Sequence, residues 1–114
     1  MTHTEADYHS IRTAILSVVS GVDLLDNDRA LDSAEESSIR DHIEGSFDQL
    51  DRLGVPYVVQ NAAISAGSRN NRRRPASFIV REIMDNYAHR LTPEARREWY
   101  ELRAAVQQQQ EATA

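Results

Sequence analysis

The sequence predicts an all-α protein, a compact bundle of four to five helices built as one domain over residues 1–114. Three observations carry that expectation. Apolar residues recur at intervals of three and four through most of the chain, the breaks between those runs hold helix caps and stops, and no pair of segments alternates as a hairpin would. A chain of 114 residues, 40% hydrophobic and 27% charged, has enough apolar mass for one core and not for two.

The first helix starts near Thr4, because Tyr8, Ile11, Ile15, Val18 and Val22, with Ala14 and Val19 beside them, form one broad stripe. Gly21 weakens its last turn. Residues 23–32 then mix acids with Asn27 and read as a connection whose Leu24, Leu25 and Leu31 tuck under the fold. Ser33 and Glu36 have the spacing of a capping box, so a second helix follows. Its Ile39, Ile43, Phe47 and Leu50 fall within an arc of about 80° at 100° per residue, and Gly54 with Pro56 beyond it makes the stop.

Residues 55–66 send two signals. Val55, Tyr57, Val58 and Val59 favour a strand, whereas Gln60 to Ile64 favour a helix; a lone strand would have no partner, so the segment is expected to be a short helix entered at Pro56 and ended by Gly67. Residues 67–75 form an exposed Arg-rich loop. Pro75 restarts a helix with the stripe Ala76, Val80, Ile83, Met84, Tyr87 and Leu91. Thr92-Pro93-Glu94 supplies an N-cap, a first-turn proline and a first-turn acid for the last helix, whose Ala95, Trp99, Leu102 and Val106 face the core. Residues 1–4 and 108–114 have nothing to bury and are expected to be disordered.

Charge divides the chain. The net charge is −5, but residues 1–57 hold twelve acids and four arginines while residues 58–114 hold six acids and nine arginines. All thirteen basic residues are Arg. The lack of cysteine excludes thiolate chemistry, disulfides and cysteine-bound metals. Apolar runs reach only three residues and the start is neither basic nor apolar, so the expected setting is the cytoplasm, with no membrane association.

The strongest chemical anomaly is Arg69, Arg72, Arg73 and Arg74, four guanidinium groups just before a helix start, where an anion would feel both loop charge and helix dipole. The run lacks the Gly-Lys-Ser/Thr of a P-loop and any aromatic to stack on a base, so it reads first as a mobile solvated loop or one pairing with Asp41, Glu44, Asp48 and Asp51, the acidic row of the second helix, with phosphates and an acidic protein partner as the alternatives. Leu16, Phe78 and Tyr100 lie off their own stripes, available either to the rest of the fold or to an interface. Glu82, Asp85 and His89 share a face at metal-ligand spacing, but that face is opposite Val80, Met84 and Tyr87 and reads as solvated. Asp26, Asp28 and Asp32 fail the calcium-loop pattern at Ala30, Leu31 and Ser37. No catalytic residue, cofactor or metal is therefore expected. The expected function is a non-enzymatic helical interaction or regulatory protein. It would bind another protein, or a second copy of itself as a homodimer, through the acidic face, the Arg loop and exposed aromatics. The alternative is a small nucleic-acid binder contacting phosphates through Arg69 to Arg74.

Overall fold

Thr4 opens the first helix as anticipated: its hydroxyl accepts the Asp7 N–H at 3.1 Å while the Asp7 carboxylate accepts the Thr4 N–H at 2.9 Å, a reciprocal capping box. The computed structural model describes residues 3–28 and 30–113, with side chains as far as Gln109. Its helices are α1 (Glu5–Asn27), α2 (Ser33–Arg52), α3 (Tyr57–Asn70), α4 (Ala76–His89) and α5 (Pro93–Thr113), and no strand occurs among the described residues. The all-α bundle is thus the architecture of the chain. Among the described residues no helix is long and apolar enough to cross a membrane.

Helix α1 packs against all four others, which follow one another around it: α2 meets α3, α3 meets α4, and α4 meets α5. Its Ile11, Ile15, Val18 and Val19 are almost wholly buried, and Ala14, Gly21 and Val22 extend the covered face on either side. At the far end of the core, Trp99 of α5 is 2% exposed. Its ring lies 4.6 Å from Tyr8, 5.2 Å from Tyr87 and 5.8 Å from His3, centroid to centroid. Burial raises the pKa of both Tyr8 and Tyr87. The Tyr87 hydroxyl sits 3.2 Å from His3 Nε2.

Several boundaries differ from the sequence expectation. Helix α1 does not weaken at Gly21 but continues to Asn27, because Leu25 extends the apolar stripe onto the core and Asp23 is held by other parts of the chain. The connection is therefore 28–32. Asp32, not Ser33, caps α2: its carboxylate accepts the Glu35 N–H at 2.8 Å, a bond that also lowers the Asp32 pKa. The end of α2 is as expected, with Gly54 at φ 75° and N–H bonds from Gly54 to Asp51 and from Val55 to Leu50, the pattern of a Schellman stop.

The 55–66 segment is helical, but Pro56 is the cap rather than the first residue, and α3 is as long as α4 at 14 residues. Gly67 does not end it. Gly67 is the point where α3 meets α1, since a Cβ there would lie 2.6 Å from the Val19 carbonyl oxygen. The exposed loop consequently shrinks from 67–75 to 71–75, with Gly67 and Asn70 buried inside α3. Helix α5 starts on Thr92, whose hydroxyl accepts the Ala95 N–H at 3.2 Å. The Arg96 side chain donates to the carbonyls of Ala88, His89 and Leu91, satisfying the end of α4. His3 and Thr4 are ordered against the bundle, and 108–113 continue α5 as helix; the parts of the expected disorder at 1–2 and 114 lie outside the described residues.

Two glycines should respond differently to alanine. At Gly67 the new methyl meets backbone of α1, whereas at Gly21 it meets only side chains, Ile43 at 2.8 Å and Ile39 at 3.2 Å, of which Ile43 must shift. Helix propensity favours alanine by about 1 kcal/mol at both. Gly67→Ala should still destabilise the fold by ~1–3 kcal/mol as an overpacked contact, and Gly21→Ala, where side chains and not backbone must give, should cost less; denaturant midpoints of the two variants measure the difference.

Candidate functional site

The Arg-rich segment is built on a buried acid. Asp23 of α1, 9% exposed, accepts the Asn70 side-chain amide at 2.9 Å, the Asn27 amide at 2.8 Å and the Arg72 backbone N–H at 3.1 Å. Asn70 in turn accepts the Arg74 N–H at 3.1 Å and donates to the Arg74 carbonyl at 3.0 Å, so one side chain holds both ends of the turn. Between them Asn71 and Arg72 have φ 47° and 58°. Two successive non-glycine residues in the left-handed region cost ~1–3 kcal/mol each and persist only where their surroundings hold them. Here Asp23 and Asn70 supply that hold.

The four arginines do not act as one cluster. Arg72 pairs with Asp28 at 3.3 Å, and Arg74 pairs with Glu82, which lowers the Glu82 pKa through the hydrogen bond. Arg69 lies in the last turn of α3, its Nε donating to the Ser65 carbonyl, and Arg73 projects from the loop. The loop arginines therefore take acids at the end of α1 and on α4, not those of the α2 row. Of that row Asp41, Glu44 and Asp48 are open to solvent, as is most of Asp51, which accepts the Gln60 amide of α3 at 2.6 Å.

A second surface assembles where α1, α4 and α5 meet. Tyr8, Arg12 and Leu16 line it at intervals of four on α1, and Ser77, Arg81 and Asp85 repeat the interval on α4 above a floor of Val80 and Met84. Arg103 and Gln107 of α5 close one side of this groove of about 210 Å³. Arg103 binds Asp85 at 2.6 Å and lies over the Tyr100 ring, 5.1 Å from its centroid. Arg12 and Arg81 meet no carboxylate within 4.0 Å among the described residues. All three arginines act on the Tyr8 hydroxyl, opposing the rise that burial imposes on its pKa, while Asp85 adds to that rise. The groove thus carries excess positive charge beside apolar walls.

This surface gathers residues that were separate in the sequence. Leu16 is 36% exposed and lines the groove; Phe78, 56% exposed, precedes Arg81 by three residues and so adjoins it on α4. Tyr100 packs partly buried against the core with Arg103 over its ring. Tyr57 and Val58 at the start of α3 are further exposed apolar side chains. The Glu82, Asp85 and His89 face is largely open to solvent, with Glu82 paired to Arg74 and the partly buried Asp85 to Arg103. Among the described residues no three His, Cys, Asp or Glu side chains come together as a metal site. Arg12, Arg81 and Arg103 were missed. Their only sequence signal is spacing by four alongside an apolar stripe, and it acquires meaning once the helices are paired. Compared with known protein families, curated proteins and solved structures, the chain matches none.

The loop can be tested through its anchor. Asp23→Ala removes a charged acceptor and leaves the Asn70 amide short of a partner, so it should cost ~2–4 kcal/mol in denaturant unfolding. Arg73→Ala, on the exposed turn, should fall within about 0.5 kcal/mol of the parent.

Proposed function

We propose that this chain works in the cytoplasm as a non-enzymatic helical interaction module, binding another protein through the face formed by α1, α4 and α5. The observation that carries this reading is the company of Leu16, which lines the groove, and Phe78, exposed on its α4 flank, with Arg12 and Arg81, which lack acidic partners among the described residues. Interfaces combine apolar anchors with arginine in this way. Among the described residues every buried side-chain nitrogen or oxygen has a hydrogen-bond partner, and the largest buried polar constellation, around Asp23, shapes a turn.

The acidic face of α2 and the Arg loop are secondary contact surfaces in this reading. A phosphate-binding role for the loop remains a second proposal, favoured by Arg69 and Arg73, which are exposed and meet no carboxylate among the described residues.

Affinity capture from the native cell separates the two. Leu16→Glu with Phe78→Glu should abolish recovery of the partner while the helical circular dichroism stays that of the parent, and nuclease treatment should change nothing. If recovery instead depends on nucleic acid, Arg69→Ala with Arg73→Ala should flatten the dependence of log K on log salt by about 1.8 for duplex DNA, and the protein-binding reading is then wrong.

A further inference from the structure

We infer that the groove between α1, α4 and α5 receives an acidic amphipathic helix, a partner segment with an apolar stripe flanked on both sides by carboxylates. The inference rests on the interaction-module reading and specifies what that module binds. Shape gives the first argument. From Tyr8 to Leu16 the α1 wall spans eight residues, as does the α4 wall from Ser77 to Asp85, so the groove runs for about 12 Å, the length of two helical turns. An incoming helix would present residues i, i+3 or i+4, and i+7 to a trough of that length. At about 210 Å³ the groove is smaller than the cavities that enclose small ligands, typically ~300–1,000 Å³, and suits two or three inserted side chains.

Charge gives the second argument. Arg12 stands on the α1 wall and Arg81 on the α4 wall, and among the described residues neither has a carboxylate within 4.0 Å. A segment lying between the walls would meet a guanidinium on either flank, while Leu16 adds apolar contact to the floor of Val80 and Met84, and the exposed Phe78 lies on the outer flank of the α4 wall beside Arg81. A second copy of this chain fits less well. Its α2 offers carboxylates, but the apolar stripe of that helix, including Ile43 and Leu50, is already buried in its own core.

The test uses a helical peptide of about 16 residues, roughly four turns, with leucine at i, i+3, i+4 and i+7 and glutamate flanking them, together with a twin in which lysine replaces each glutamate. Fluorescence anisotropy with the full chain should detect binding of the glutamate peptide and little of the lysine twin. Arg12→Glu with Arg81→Glu should weaken the glutamate peptide by about tenfold or more and make the lysine twin the better ligand. That gain also reports that the variant is folded, and Arg81→Glu alone, at an exposed position, should move both affinities part of the way. Equal binding of the two peptides by the parent, or binding of the glutamate peptide that survives the double reversal, overturns the inference. So does decanoate binding without peptide binding, which would make the groove a site for small amphiphilic anions, or self-association in sedimentation that the double reversal abolishes, which would make the occupant a second copy. The module reading fails separately, if Leu16→Glu with Phe78→Glu leaves partner capture intact.

Discussion

Burial of α1 on more than one side is the constraint from which the rest of the structure follows. From Gly21 round to Asp23, its covered residues span about 200° of the helix circumference at 100° per residue, wider than a surface helix requires. No single neighbour can cover such an arc. The remaining helices are therefore obliged to wrap it in sequence, and small side chains lie where the approach is closest: Gly21 of α1 lies under Ile43 of α2, and Gly67 of α3 lies over the backbone of Val19. The connections are short because successive helices are neighbours around a shared axis.

That arrangement explains which parts of the fold were legible. Stripes on α1, α2, α4 and α5 were readable because each buries a face whose period depends only on local helix geometry. The caps at Thr4 and Thr92 and the stop at Gly54 were readable for the same reason, as chemistry confined to four or five consecutive residues. Ser33 misled because Asp32, one position earlier, competes for the same backbone donors and carries the charge that suits a helix start. Gly21 and Gly67 misled more deeply. A glycine that ends a helix and a glycine that admits a neighbouring backbone look alike until the neighbour is known.

The candidate site was legible in pieces. Leu16 and Phe78 stood out as apolar residues off their stripes, but nothing local says that they flank the same groove, because 62 positions separate them in the chain. Arg69 to Arg74 stood out by density, yet Asp28 and Glu82 take up two of the four guanidinium groups through contacts between different elements. The polarity between the two halves of the sequence does take spatial form. Among the described residues helix α2, which carries the acidic row, packs on α1 and α3 alone, while Arg12, Arg81 and Arg103 share a groove on α1, α4 and α5. Opposite charge thus occupies different surfaces of one small molecule, a distribution that orients partners as they approach.

The place of α1 ahead of the helices that cover it has a consequence during synthesis. Trp99, which closes the end of the core around Ile11 and Ile15, follows them about 85 residues later, a delay of about 4–17 s at ~5–20 residues per second. Throughout that interval a helix that needs cover over more than half its circumference has only part of it. Slower elongation would lengthen that exposure even though the finished fold is unchanged.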